Sequence, residues 1–138
     1  DITFNPKDAI AFTGDTGPYL LYTYARCQSL FRKAGLRKKS TPKKIKPQNP
    51  LTNFEWRLIM DMSHFPDVCA KSAVALDPSL LTDFTFKLAK AINDFYEAEP
   101  ILTAPAEERE LRLNILLASS IVMKKSLDLL GIKTLEEM

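Results

Sequence analysis

The chain has 138 residues, 46% hydrophobic and 26% charged, with a net charge of +2, which fits one ordinary globular domain around one core. No apolar run approaches the ~18 residues that would span a bilayer, and Asp1-Ile2-Thr3-Phe4-Asn5-Pro6 lacks the basic-then-apolar pattern of a secretory signal. Cys27 and Cys69 fall in predicted helices with no second cysteine or histidine at metal-ligand spacing, so they read as buried reduced thiols of a cytoplasmic protein with no metal site.

The charge is unevenly distributed. Residues 1–50 carry ten Lys/Arg against three Asp/Glu, and residues 51–138 carry nine against fourteen, so +7 and −5 combine to the overall +2. Most of the excess comes from Arg32, Lys33, Arg37, Lys38, Lys39, Lys43, Lys44 and Lys46. Such asymmetry predicts that one side of the domain meets a polyanion.

Residues 1–13 read as a lead-in segment with a short helical turn from Pro6 to Phe12. Asp15 or Thr16 can then cap a first long helix. Pro18 suits its first turn, where a missing N–H costs nothing, and the helix runs from about Gly17 to Ala34 before the stop at Gly35. Residues 36–50 hold three prolines and a run of like charges, which oppose both helix and strand, so they read as a basic loop.

Thr52 with Glu55 forms a capping-box pattern and opens a helix from Asn53 to about Ser63, interrupted by Phe65-Pro66. A further helix is predicted over Asp67–Leu76. Asp77-Pro78, an N-cap and an N1 proline, then starts a long helix to about Ala98. Leu81, Phe84, Leu88, Ala91 and Phe95 form its apolar stripe, opposite Asp83, Lys87, Lys90, Asp94 and Glu97. Pro105 with Glu107, Glu108 and Glu110 fits the first turn of a last helix. That helix is apolar on nearly every side from Leu113 to Met123, which predicts a central place in the bundle, and Gly131 stops it. No segment alternates as a strand. The predicted fold is therefore all-α, a single-domain bundle of about four to six helices over 1–138.

On the first long helix Tyr19, Tyr22 and Arg26 are spaced i, i+3, i+7 and share a face. Two phenol rings and a guanidinium there can stack bases and pair with phosphate, or can pack into a helical core with the arginine paired to an acid. Phe95 continues the later stripe, so Tyr96 is left to face a groove or another helix. His64, the only histidine, stands at the Ser63–Pro66 break and reads as a loop residue. Asp61, Asp67 and the acids at 107–110 read as capping and solvated-face charges. With no P-loop, dinucleotide fingerprint or recognisable triad, no catalytic or cofactor-binding residue is assigned.

The stretch Gly14-Asp15-Thr16-Gly17-Pro18-Tyr19-Leu20-Leu21-Tyr22-Thr23-Tyr24-Ala25-Arg26 closely resembles the signature that opens the anticodon-binding domain of arginyl-tRNA synthetases. Asn93-Asp94-Phe95-Tyr96 resembles the family's Phe-Tyr segment. Leu127-Asp128-Leu129-Leu130-Gly131-Ile132, followed by Glu136-Glu137-Met138, is similar to its C-terminal ending. The matches come in the family's order and cover nearly all of the chain.

The resemblance implies that Tyr19, Tyr22 and Arg26 face the anticodon loop of an arginine tRNA and that Tyr96 stacks a base. It also implies that the tail folds back to set Met138 beside them. From charge alone, not from the resemblance, Lys33 and the loop lysines Lys43, Lys44 and Lys46 would add weaker phosphate contacts, with a solvated loop that makes no ordered contact as the alternative for the run at 37–50. Where relatives commonly carry glutamine this chain has Leu21, so no contact is carried over to that position. The family's His-Ile-Gly-His-like motif and lysine-bearing loop do not occur here. The expectation is thus a fragment that lacks an initiator methionine and whose catalytic domain, with ATP and Mg, lies upstream in a monomeric enzyme. A helical protein–protein adaptor and a free-standing RNA-binding domain without ligase activity are the alternative readings.

Overall fold

A computed structural model describes residues 16–36, 40–135 and 137. The lead-in segment 1–13, Asp15, Arg37, Lys38, Lys39, Glu136 and Met138 lie outside the described residues. Five α-helices follow in order: α1 (Gly17–Lys33), α2 (Asn53–Ser63), α3 (Phe65–Ala75), α4 (Ser79–Ala98) and α5 (Ala106–Leu129), with no strand among the described residues.

Local chemistry sets most helix ends. Thr16 Oγ1 accepts from the Tyr19 N–H at 3.3 Å, and Pro18 sits in the first turn of α1. At the other end Gly35 takes φ +75°, which lets Leu36 N–H reach Phe31 O at 2.9 Å and Gly35 N–H reach Arg32 O at 3.0 Å; only glycine adopts that backbone without strain. Gly131 repeats the device after α5, with Ile132 N–H donating to Leu127 O at 2.9 Å. The capping box of α2 is complete: Thr52 N–H donates to Glu55 Oε2 at 2.9 Å and Glu55 N–H to Thr52 Oγ1 at 3.2 Å. Asp77 Oδ1 accepts from the Ser79 hydroxyl at 2.6 Å and its N–H at 2.9 Å, and these bonds hold its carboxyl below the usual range.

Several boundaries differ from the sequence-based expectation. α4 begins at Ser79 with Pro78 as its N-cap, where the sequence predicts Asp77 as the cap and Pro78 as the first helical residue. α3 resumes at Phe65, two residues before Asp67, because Pro66 falls in the first turn where its missing N–H is harmless. The same helix stops at Ala75: Leu76 takes a left-handed conformation, φ 52° and ψ 36°, that lets Asp77 N–H bond Ser72 O at 3.0 Å. Leucine pays a steric penalty there, and its side chain is 89% exposed.

α4 is the centre of the bundle and packs against all four other helices. Its stripe residues Leu81, Phe84, Leu88, Ala91 and Phe95 are buried, joined by Thr85, Ala89 and Ile92. In α5 every residue from Leu113 to Met123 is at least partly covered except Ile121. The buried hydroxyls of Ser119 and Ser126 donate to the carbonyls of Ile115 and Val122 at 2.9 and 3.0 Å, so they enter the core without unmet hydrogen bonds.

Two acids expected on a solvated face have partners in or beside the core, and one of them is buried. Asp61 is buried, bridged to Lys87 Nζ at 2.9 Å and Arg57 Nε at 3.7 Å; the α2 face that carries it turns toward α4. Glu108 reaches Arg112 Nη2 at 3.3 Å. Arg112 is itself buried and binds Glu55 Oε1 at 2.8 Å, Glu99 Oε2 at 3.1 Å and the Pro100 carbonyl at 2.7 Å. One guanidinium thus ties the start of α2, the α4–α5 connection and the first turns of α5.

Candidate nucleic-acid interface

Every 3.6 residues the α1 helix returns to the same side, and that side meets the C-terminal end of α4. The three tyrosines of α1 divide accordingly: Tyr24 points into the core at 7% exposure, Tyr19 is half-buried, and Tyr22 is exposed. Tyr22, Ala25, Arg26, Ser29, Arg32 and Lys33 of α1, with Tyr96 of α4 and Glu137 of the tail, line an open recess of about 540 Å³.

Arg26 stands at its centre. The guanidinium carbon lies 3.8 Å from the centroid of the Tyr96 ring, a cation–π contact. Its Nη1 donates to Asn93 Oδ1 at 3.0 Å and lies 3.6 Å from Glu97 Oε1. Asn93 Nδ2 in turn donates to Tyr19 Oη at 3.1 Å and to Thr23 Oγ1 at 2.8 Å. One polar chain therefore runs from Tyr19 through Asn93 and Arg26 to Tyr96, across two helices. A guanidinium over the face of a phenol ring, beside the exposed Tyr22, presents aromatic surface and positive charge together. That arrangement suits an unstacked base and its phosphate.

The structure brings Tyr22, Arg26, Tyr96 and Lys33 around one recess and links Tyr19 to it through Asn93. Lys43 and Lys46 are elsewhere. The loop lies along α5: Asn114 clamps the Lys43 backbone, accepting from its N–H at 2.6 Å and donating to its carbonyl at 2.7 Å, and Lys43 Nζ is 3.8 Å from Glu110. Lys43 lines a hollow of about 610 Å³ with Leu36, Arg109 and Leu117, while Lys46 lines a smaller one with Glu107, Glu108 and Glu110. Lys44 is exposed on the same loop. This part of the basic run is thus seated beside the acidic start of α5, so opposite charges far apart in sequence are neighbours in space. Met138 lies outside the described residues. Its neighbour Glu137 lines the recess and sits 3.5 Å from Arg32 Nη2.

The remaining reactive groups stay apart from this site. Burial pushes the Cys27 thiol up to about 12, against the opposing influence of Arg26. Cys69, expected to be buried, is only partly covered, because α3 is the helix that buries no residue completely. His64 is exposed at the α2–α3 junction. Among the described residues no group of three or more His, Cys, Asp or Glu could hold a metal ion, and no helix is long and apolar enough to cross a membrane.

Asn93 was missing from the residues singled out for function. Its signal was its place at the border between the stripe and polar face of α4, one turn before Tyr96.

A family model described as the DALR anticodon binding domain matches residues 20–138. The arginine–tRNA ligase of Treponema denticola is 36% identical over all of this chain, and that of Clostridium acetobutylicum 37% identical, again over all of it. In both, the chain spans about a quarter of the relative's length, 24%. Among solved structures, Thermus thermophilus arginyl-tRNA synthetase superposes with a TM-score of 0.86 at 34% identity, covering 98% of this chain and 23% of that one. The Plasmodium falciparum arginyl-tRNA synthetase, at 24% identity, shares the fold with a TM-score of 0.81 over 100% of this chain and 24% of its own. By its sequence, its helix order and its superposition alike, this chain belongs to the DALR anticodon-binding domain family.

Proposed function

We propose that the chain is the anticodon-binding domain of an arginine–tRNA ligase and that it docks the anticodon stem-loop of an arginine tRNA. The observation that carries this reading is the recess in which Arg26 lies on the Tyr96 ring beside exposed Tyr22. Tyr22 and Tyr96 stack bases, Tyr19 supports them from the same helix face, and Arg26 and Lys33 meet phosphate. Lys43, Lys44 and Lys46 give weaker phosphate contacts along the α5 side, and Met138 is a further RNA-contact candidate through a thioether that can pack on a ring or base. A catalytic domain upstream attaches arginine with ATP and Mg in a monomeric, cytoplasmic enzyme. In this reading the domain's part is to bind and orient tRNA.

The test is titration of the full-length enzyme with the anticodon stem-loop of an arginine tRNA and with the same hairpin carrying a changed middle anticodon base. The native hairpin should bind more tightly. The phosphate contacts at Arg26 and Lys33 alone give a log–log salt slope of roughly −1.4, or about a 7-fold loss of affinity between 50 and 200 mM salt, and the weaker contacts at Lys43, Lys44 and Lys46 steepen it. Equal binding of both hairpins with no salt dependence would refute the reading and favour an apolar adaptor surface.

A further inference from the structure

Resting on the reading of the recess as an RNA contact, we infer that Thr23 and Asn93 are positioning residues that preset Arg26. The hidden Thr23 hydroxyl selects the orientation of the Asn93 amide, and the amide oxygen holds the guanidinium against Tyr96.

The argument is a count of hydrogens. Thr23 is 0% exposed, so it cannot touch RNA. Its hydroxyl donates to the Tyr19 carbonyl at 2.9 Å. A hydroxyl has one hydrogen, so Oγ1 faces Asn93 only as an acceptor. The Asn93 group 2.8 Å away is therefore the NH₂, and its second hydrogen goes to Tyr19 Oη at 3.1 Å. The carbonyl end is thereby directed at Arg26, whose Nη1 donates to it at 3.0 Å. A flipped amide would set N–H against N–H at Arg26, since a guanidinium has donors only, and oxygen against oxygen at Thr23, whose one hydrogen is already given to Tyr19 O.

Among the described residues no other contact fixes Arg26 as firmly. Glu97 is 3.6 Å from Nη1 and its side chain is 71% exposed, so solvent screens the pair. The Tyr96 ring sets a distance of 3.8 Å from its centroid but accepts many rotations of the plane above it. The amide oxygen removes that freedom. It is also neutral, so Arg26 keeps its full charge for an anion, which a carboxylate at position 93 would offset.

The test uses the full-length enzyme, with KM for arginine tRNA and kcat at saturating tRNA read separately. Thr23→Val keeps the shape and removes the acceptor; it should raise KM about 3- to 10-fold with kcat within about twofold. Thr23→Ser keeps the hydroxyl and should behave as the unmodified enzyme. Asn93→Ala should raise KM about tenfold. The pair Thr23→Val with Arg26→Ala should be no worse than Arg26→Ala alone, because both act through one group. Should Thr23→Val or Asn93→Ala fail to fold, the isosteric Asn93→Asp replaces them, and its salt slope for hairpin binding should be shallower by about one phosphate contact. Unmodified KM in Thr23→Val and Asn93→Ala while Arg26→Ala is impaired would overturn the inference. Equal impairment by Thr23→Ser and Thr23→Val, or an unmodified slope in Asn93→Asp, would do the same. No effect of Arg26→Ala would instead refute the underlying reading of the recess.

Discussion

Replacing Tyr22 with alanine separates recognition from folding, because its ring lies in the recess while 43% of the residue is exposed. A base stacked on such a ring contributes about 1–3 kcal/mol by alanine substitution, which is roughly a 5- to 150-fold change in an equilibrium constant. Full burial of an aromatic side chain stabilises by about 1.5–3 kcal/mol, so truncating this half-covered one should cost about 1 kcal/mol of stability. That lowers the melting temperature by only ~2–6 °C for a domain of this size. The assay is the tRNA dependence of aminoacylation by the full-length enzyme, beside a thermal melt. KM for tRNA should rise by a factor in that range. Tyr22→Phe should retain most of the function, since the ring and not the hydroxyl stacks. Tyr24→Ala is the matched control: at 7% exposure its loss leaves a core cavity costing about 3–5 kcal/mol, with tRNA affinity of the surviving folded enzyme little changed. Unchanged KM in Tyr22→Ala, with the melt also unchanged, would show that the ring does not touch RNA.

Three further outcomes are expected. Arg112→Met should destabilise by about 3–5 kcal/mol in denaturant titration, because it strands the buried carboxylate of Glu55 and that of Glu99 without their cation; a loss below ~1 kcal/mol would mean that the network is not needed. Leu76→Gly should raise stability by about 1 kcal/mol, since the left-handed backbone there strains leucine and the exposed side chain contributes little burial; a lower melting temperature would contradict the strain. Replacing Lys43, Lys44 and Lys46 with serine should flatten the salt dependence of tRNA binding while leaving discrimination among tRNAs intact; an unchanged slope would place the loop off the RNA.

The bundle and its helix ends were legible because the deciding interactions are local. A cap joins residues three apart, as at Thr16–Tyr19 and Thr52–Glu55, and a stripe such as Leu81 to Phe95 repeats with the helix period. The shared face of Tyr19, Tyr22 and Arg26 needed no more than that period. The departures arose where a partner from elsewhere intervened. Asp61 carries the sequence signature of a surface acid, yet Lys87 of α4 closes over it. The lysine loop reads as a free basic arm, yet Asn114, 71 residues on, holds its backbone to α5.

What the sequence determined by itself was the number and order of helices, their caps, and the presence on α1 of an aromatic and basic face, all consequences of forces acting within one or two turns. What only the tertiary structure decided was which groups that face would meet. Asn93 reaches Arg26 across 67 residues and Arg112 reaches Glu55 across 57. Such pairs depend on where two helices cross and how each is rotated about its axis. That choice is made by burying the whole core at once, and no local segment contains it.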